Sequence, residues 1–211
     1  MRLPYDLIAA KRHLREVDPV LARLIRRCPP CALHRERTPD LFAWLLQSII
    51  GQQLHTKVAA IIHQRVRAAI GEPVTAATAQ RVPDDALRAA GLSSAKLAAI
   101  RDLSAQCLAG TVPTPRQIVR LSNEELITRL TTIRGIGVWT VHMILIFRLG
   151  RPDVMPVGDF AIRQAFDRLY SPVGTRTKPA EILTRTAPWQ PFRSVAAWYL
   201  WESLRHPAEP S

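Results

Sequence analysis

A long apolar segment is missing from this sequence. The longest strongly apolar stretch, residues 141 to 149, is interrupted by His142 and Arg148, whereas a membrane-spanning helix needs roughly 20 apolar residues in succession. Near the N-terminus, Lys11 and Arg12 soon break the apolar character that a secretory signal would show. We therefore expect a protein without a membrane-spanning helix that stays in the compartment where it is made.

Cysteine is scarce, with only three residues, Cys28, Cys31 and Cys107. An odd number in a chain without a secretory signal argues against disulfide bonds. Cys28 and Cys31 have the spacing of half a zinc site or of a redox pair, and His34 is a potential third ligand. Because a closed zinc site needs four ligands and no second pair of this kind exists, we interpret the two cysteines as an incidental pair.

Acidic residues and lysine are both in the minority. Lysine and arginine total 29 against 17 aspartates and glutamates, which gives a net charge of +12, and only four of the 29 are lysines. Arginine-rich codon usage would explain the choice of arginine, but the positive balance itself indicates a polyanion as partner, either nucleic acid or an anionic membrane. No predicted helix has a basic face opposite a broad aromatic one, which disfavours the membrane. The basic residues are spread along the chain, which favours a folded binding face over a basic tail.

Sustained β-strand alternation is absent, and helical spacing takes its place. Apolar residues recur at three- and four-residue intervals from Leu41 to Val66, with a break expected at Gly51. The sequence Thr-Pro-Asp at residues 38 to 40 is typical of a helix start. We predict an all-α fold, with further helices over residues 84–90, 94–108, 115–119, 123–130, 138–149, 160–170, 179–186 and 192–204.

A tight turn between two of these helices is the most specific local signal. Residues 130 to 140 read Leu-Thr-Thr-Ile-Arg-Gly-Ile-Gly-Val-Trp-Thr, so that one helix ends, Gly135 and Gly137 form a turn, and the next helix starts at Val138. Glycine lets the main chain approach a ligand closely, and the free amides that open a helix suit a phosphate oxygen. A plain helical corner with a glycine cap is the alternative. Together with the positive charge, the turn favours DNA binding.

Four further segments accompany the hairpin. They are residues 48–57 (Ser-Ile-Ile-Gly-Gln-Gln-Leu-His-Thr-Lys), 91–96 (Gly-Leu-Ser-Ser-Ala-Lys), 153–166 (Asp-Val-Met-Pro-Val-Gly-Asp-Phe-Ala-Ile-Arg-Gln-Ala-Phe) and 189–201 (Trp-Gln-Pro-Phe-Arg-Ser-Val-Ala-Ala-Trp-Tyr-Leu-Trp). In this order they resemble the helix-hairpin-helix DNA glycosylase superfamily, and within it the bacterial 3-methyladenine DNA glycosylase II group. The longer bacterial relatives have an extra N-terminal β-domain with no counterpart here, so the resemblance implies a compact form.

The resemblance implies that Asp159 is the catalytic carboxylate, although Gly158-Asp159 before a helix also has the pattern of an ordinary N-cap. A fixed carboxylate stabilises the cationic charge that develops on the sugar while an alkylated base departs, and it orients or deprotonates the attacking water. Trp139 and Trp201 are expected in the base pocket, where their faces favour a cationic base, unless both are core residues. Met143 takes a position where a relative has tyrosine.

Trp139 also occupies the position at which glycosylases that cut the DNA backbone have a nucleophilic lysine. Without that amine no Schiff base forms. The four-cysteine iron–sulfur cluster of another branch is missing too, since no cysteine follows Cys107. The resemblance therefore implies a monofunctional glycosylase without a lyase step.

The DNA contacts that the resemblance implies lie at two turns. Gln53 or Leu54, beside Gln52, matches the wedge that fills the space left by a flipped base, although a Gln-Gln pair at a helix junction also has a structural interpretation. Gly135, Gly137 and Val138 are expected at the phosphate backbone. By the same correspondence, main-chain carbonyls bind a monovalent cation, Na⁺ or K⁺, and no other cofactor is expected; these carbonyls belong to Thr131, Ile133 and Ile136.

The predicted organisation is two helical subdomains that flank an active-site cleft. Residues 38–150 carry the wedge and the hairpin at 133–138, and residues 1–37 plus 151–211 carry the catalytic aspartate and a C-terminal pocket helix. The expected protein is a monomer in a bacterial cytoplasm, at the nucleoid, or in a eukaryotic nucleus, where it excises 3-methyladenine-type bases from duplex DNA and leaves an abasic site. Two alternatives remain open. A non-catalytic DNA-binding module has no reason to keep Asp159, and glycosylases for other lesions usually carry the missing lysine or cluster.

Overall fold

The computed structural model describes residues 3–35, 41–172 and 174–206. Within these ranges the regular structure is helical and no β-strand occurs, so the predicted all-α fold is confirmed. None of the described helices is both long enough and apolar enough to cross a membrane. The α-helices are α1 (Leu7–Val17), α2 (Pro19–Arg27), α3 (Leu41–Gly51), α4 (Thr56–Ile70), α5 (Ala76–Arg81), α6 (Asp84–Ala89), α7 (Ser94–Leu108), α8 (Pro115–Ile118), α9 (Asn123–Leu130), α10 (Val138–Met143), α11 (Phe160–Tyr170), α12 (Pro179–Arg185) and α13 (Arg193–Arg205).

Side-chain caps explain why several helices begin where the sequence places them. Ser93 accepts a hydrogen bond from the Lys96 amide at the start of α7. Ser122 and Glu125 form a reciprocal capping box at the start of α9. The bounds of both helices match the predicted ones. The predicted helix start at residues 38–40 lies outside the described residues.

Three described helices were not predicted: α1, α2 and α5. Each has a polar cap, since Asp6 accepts from the Ile8 amide, Asp18 from two amides of α2, and Thr75 pairs with Thr78 at α5. The arginines of α1 and α2 obscure the helical spacing of apolar residues in the sequence. The structure shows which of those apolar residues are buried. The segment 144–148 differs in another way, because it is a π-helix that continues α10 and not the end of an α-helix.

The chain forms two compact units, Met1–Arg37 with His142–Ser211, and Thr38–Val141. The second boundary falls between Val141 and His142, inside α10, whereas the sequence placed it at residue 150. No turn signal marks a boundary within a continuous helix. The end of the hydrophobic pattern at Gly150 therefore suggested a later position.

In the unit formed by residues 38–141, α7 is the central helix. It packs against α3, α5 and α6, and α3 also packs against α4. The core is aliphatic, which is why α3 and α7 are apolar over most of their length. Its fully buried side chains include Leu45, Leu46, Ile49, Ile50, Leu87, Ile100 and Leu103.

In the other unit, α13 packs against α1, α2 and α11. A buried carboxylate organises this core. Asp18 is 9% exposed and accepts hydrogen bonds from the amides of Val20 and Leu21, from the Tyr170 hydroxyl at 3.1 Å and from Trp189 Nε1 at 2.9 Å. Burial and the nearby Asp18 raise the pKa of Tyr170, so its hydroxyl stays a donor. The start of α2 is thereby tied to the end of α11, the helix that Asp159 begins.

Candidate functional site

The predicted wedge is a tight turn, residues 52–55, which we call the wedge turn, between α3 and α4. Gln53 has φ +57°, the left-handed conformation that L-residues adopt rarely, and its side chain is exposed. Leu54 beside it is half-buried. The Gln52 amide has a partner within the same unit, because Nε2 donates to the Gly135 carbonyl at 2.7 Å. The structure thus presents Gln53 outward, while Gln52 connects the wedge turn to the hairpin.

The two hairpin glycines have different surroundings. Gly135 has φ +80°, and a Cβ placed on it would lie 3.3 Å from the Ala99 Cβ. A Cβ on Gly137 would meet nothing within 4 Å. The fold therefore requires glycine at position 135, whereas Gly137 leaves room for another molecule to approach the main chain at the start of α10. Val138, the first residue of α10, is 48% exposed.

Two polar side chains of α7 reach these turns. The Lys96 ammonium donates to the carbonyls of Ile50, at 2.7 Å, and Gln52, at 2.8 Å. Burial lowers the pKa of Lys96 from its usual value. The Asp102 carboxylate accepts from the Arg134 amide at 2.6 Å. Sequence reasoning missed Asp102. Its only signal in the sequence was that it is an acidic residue on a predicted helix of a basic protein.

The residues of α10 that were predicted for the base pocket differ in exposure. Trp139 is 46% exposed and Met143, one helical turn later, is half-buried. His142 between them is half-buried as well, and burial lowers its pKa, so the ring is neutral at neutral pH. After Met143 the chain continues as the π-helix Ile144–Arg148. Such wide turns inside helices recur at functional sites.

Asp159 has the fixed geometry that a catalytic carboxylate needs. It is the N-cap of α11, and its Oδ1 accepts from the Ile162 amide at 2.9 Å. The same oxygen accepts from Trp201 Nε1 at 3.1 Å. The Trp201 ring stacks on Phe147, with centroids 5.6 Å apart and planes 29° from parallel. Phe147 was not predicted, and the π-helix that carries it left no recognisable pattern in the sequence.

The loop that leads to Asp159 is fixed at its beginning by α13. Arg193 forms two hydrogen bonds to the Asp153 carboxylate, at 2.5 and 2.9 Å. The Ser194 hydroxyl donates to the Arg151 carbonyl at 2.7 Å and accepts from the Val154 amide at 3.1 Å. At its other end the Asp159 amide donates to the Pro156 carbonyl at 2.9 Å. One helix, α13, therefore fixes the loop and carries Trp201.

No disulfide bond joins Cys28, Cys31 and Cys107. Burial raises the pKa of Cys31 to about 11 and also raises that of Cys28, so both are thiols at neutral pH. Across residues 3–35, 41–172 and 174–206, no three His, Cys, Asp or Glu side chains are grouped as a metal site would need.

The family of HhH-GPD superfamily base excision DNA repair proteins matches residues 46–191, more than half of the chain. Among proteins of known sequence, DNA-3-methyladenine glycosylase 1 of Schizosaccharomyces pombe is 36% identical over 204 residues, which cover 95% of this chain and 89% of that protein.

Two solved structures are similar over nearly the whole chain. The DNA-3-methyladenine glycosidase of Bacillus halodurans has a TM-score of 0.83 at 30% identity, over 96% of this chain and 92% of the other. A 3-methyladenine DNA glycosylase of Schizosaccharomyces pombe, solved in complex with abasic DNA, has a TM-score of 0.77 at 33% identity, over 96% of this chain and 100% of the other.

Proposed function

Because this chain belongs to the HhH-GPD superfamily of base excision DNA repair proteins, we propose that it is a DNA glycosylase for alkylated bases of the 3-methyladenine type. It acts on duplex DNA, hydrolyses the N-glycosidic bond and leaves an abasic site. The support is a relative called DNA-3-methyladenine glycosylase 1 that is 36% identical over nearly the full length. The net charge of +12 suits a polyanionic substrate.

The observation that carries the proposal is the position of Asp159. Its Oδ1 is held by the Ile162 amide and by Trp201 Nε1, so the carboxylate does not need to reorganise during the reaction. An alkylated purine departs with its bonding electrons and becomes neutral, while positive charge develops on the sugar. The carboxylate stabilises that charge and accepts a proton as water adds to C1′. A non-catalytic DNA-binding module would gain nothing from a fixed anion near phosphate groups.

The base is proposed to contact Trp139, Met143 and Trp201. Trp139 is 46% exposed although it is apolar, which is consistent with a ligand that covers it. An indole face attracts a cationic base more strongly than it attracts a neutral one. Met143 is polarisable and adaptable, and it would stack less strongly than an aromatic residue.

Trp201→Phe is expected to slow base release by about tenfold, because phenylalanine keeps an aromatic ring beside Phe147 but loses the hydrogen bond to the Asp159 carboxylate. DNA affinity should not change. Trp198→Phe, on the same helix, is the matched control. Single-turnover rates and binding titrations measure the two quantities. Equal rates for the two variants would mean that the Trp201–Asp159 bond does not serve the reaction.

The DNA is proposed to meet the hairpin through the main chain at Gly137 and Val138, and the wedge turn through Gln53 or Leu54. Exposure favours Gln53 as the residue that fills the gap in the base stack. Amides at the start of a helix bind phosphate without reading sequence. Most of the affinity should therefore be independent of sequence and sensitive to salt.

Gly137→Ala is expected to weaken binding to every duplex sequence alike by roughly tenfold, about 1.4 kcal/mol, because the added methyl group stands where the phosphate approaches. The protein itself should be unaffected, since that methyl group meets nothing within 4 Å. Gly135→Ala is the contrasting variant. Alanine at position 135 is strained by about 1–2 kcal/mol, because φ there is +80°. This variant should therefore have a lower melting temperature. Titrations on several duplexes and thermal melts measure both effects, and a loss confined to one sequence would contradict the phosphate contact.

A monovalent cation is proposed at the carbonyls of Thr131, Ile133 and Ile136. The Ile133 oxygen accepts from the Ile136 amide at 3.0 Å and has a second lone pair. Neutral carbonyl oxygens in a tight turn fit Na⁺ or K⁺. Such a cation adds positive charge where a phosphate is proposed to bind.

The proposed function is tested with a duplex that contains a single 7-methylguanine. Incubation with the protein at neutral pH should release free 7-methylguanine, separated from the DNA by chromatography, while an undamaged duplex releases no base. Binding to both duplexes without any released base would instead identify a DNA-binding module without glycosylase activity. Release from oxidised but not from alkylated duplexes would assign another lesion class.

A further inference from the structure

The wedge turn contains the one non-glycine residue with positive φ among the described residues, Gln53. A glutamine in this conformation is held there by its surroundings and not by its own preference. No proline or glycine lies within residues 52–55. One local hydrogen bond closes the turn, from the Leu54 amide to the Gly51 carbonyl at 3.2 Å, and further contacts come from outside it.

Lys96 of α7 supplies these contacts. Its ammonium donates to the Ile50 carbonyl, at the end of α3, and to the Gln52 carbonyl. The Gln52 carbonyl and the Gln53 amide belong to the same peptide group. Lys96 therefore fixes the orientation of the peptide plane that precedes Gln53, the residue with the left-handed conformation. A cation at this end of α3 also interacts favourably with the helix dipole.

The same helix holds the hairpin. Asp102 lies six residues after Lys96, about 9 Å along the helix, and accepts from the Arg134 amide at 2.6 Å. Ala99, between them, is the residue that a Cβ at Gly135 would meet at 3.3 Å. The hydrogen bond from Gln52 Nε2 to the Gly135 carbonyl joins the two turns directly. Helix α7, the wedge turn and the hairpin thus each contact the other two, within one unit.

We propose that Lys96 and Asp102 are positioning residues that hold the wedge turn and the hairpin at a fixed distance on the DNA, so that the grip on the backbone is coupled to displacement of the base. The inference rests on the proposed glycosylase function. Lys96 acts through Gln53 and therefore serves base flipping. Asp102 acts through the Arg134 amide and therefore serves backbone binding.

The test for Lys96 compares two substrates in each variant: 7-methylguanine paired with cytosine, and the same lesion opposite a stable abasic analogue, where no base pair has to be opened. The measured quantity is the ratio of single-turnover release rates, unpaired over paired. Because both rates come from one preparation, the ratio does not depend on the folded fraction. Lys96→Met should raise it at least tenfold over the wild type. Lys96→Arg, which keeps two donors, should stay within threefold of the wild type, and Lys178→Met, at an exposed lysine of the other unit, should leave it unchanged.

An unchanged ratio in Lys96→Met would overturn the proposal, whether both rates fall together or neither falls. Wild-type protein that releases base from neither substrate would instead overturn the proposed function, and the inference with it. The two failures are therefore distinguishable.

Asp102→Ala tests the role proposed for Asp102 in backbone binding. The deciding observation is whether the dissociation constant for DNA rises or falls. Removal of an acidic side chain normally strengthens DNA binding by a basic protein. If Asp102 positions the hairpin, the dissociation constant for undamaged duplex should rise at least fivefold. Asp85→Ala on α6, an exposed aspartate that accepts from its neighbouring amide, should lower the dissociation constant or leave it unchanged. A lower constant in Asp102→Ala as well would show that Asp102 contributes only charge.

Discussion

Asp159→Asn should abolish base release, with a fall of at least roughly 10²–10³-fold, while the fold and the DNA affinity stay nearly intact. The structure makes this a clean substitution, because asparagine keeps the oxygen that accepts from the Ile162 amide and from Trp201 Nε1. Only the negative charge disappears. Since that charge would lie near phosphate groups, binding should stay the same or tighten. Single-turnover release and duplex titration measure the two effects.

The matched control for this substitution is Asp6→Asn. Asp6 caps α1 and accepts from the Ile8 amide at 2.8 Å, so it repeats the chemical change at another N-cap. Its activity should equal that of the wild type. Asp159→Ala is less informative, because it also removes the cap at a cost of about 1 kcal/mol. Activity of Asp159→Asn within about tenfold of the wild type would mean that another group carries the reaction, since tenfold corresponds to only ~1.4 kcal/mol.

We expect no strand cleavage by the wild-type protein. A lyase step needs an amine that attacks C1′ and forms a Schiff base, and the resemblance to the family implies that Trp139 takes the position of that lysine. The Lys96 ammonium is bound to the carbonyls of Ile50 and Gln52. Product strands should therefore remain at full length until alkali or heat breaks the abasic site, and borohydride should trap no covalent protein–DNA adduct.

The contradicting result is a trapped adduct that survives Asp159→Asn and disappears when one lysine is replaced. The lysines to test are Lys57 and Lys178, both exposed, and Lys96. A glycosylase with a known lyase step serves as the positive control for trapping. Full-length product with no adduct, beside an active control, would support a monofunctional enzyme.

Local chemistry allowed much of the fold to be predicted. The bounds of α7, α9 and α11 follow from a polar cap and a helical apolar pattern, both of which depend on neighbouring residues. The N-cap role of Asp159 could be predicted for the same reason, since Gly158-Asp159 directly precedes the helix. The π-helix Ile144–Arg148 could not be predicted, because its residues suit an α-helix equally well.

The contacts that hold the site are not local, and the sequence does not reveal them. Lys96 reaches carbonyls more than 40 residues away, and Asp102 reaches an amide 32 residues away. Both partners are main-chain groups, which every residue has, so no pairing of residue types indicates them. The resemblance to a family found Asp159 and Trp201 as separate positions. Only the structure shows the hydrogen bond of 3.1 Å between them.

The central claim, excision of alkylated bases by Asp159, is tested most directly by chromatography of the bases released from methylated genomic DNA. Wild-type protein should release methylated purines, with 3-methyladenine among them, and no normal bases. Asp159→Asn should release none above the level without enzyme, although it binds the same DNA. Release of methylated purines by both proteins at similar rates, or by neither, would contradict the account.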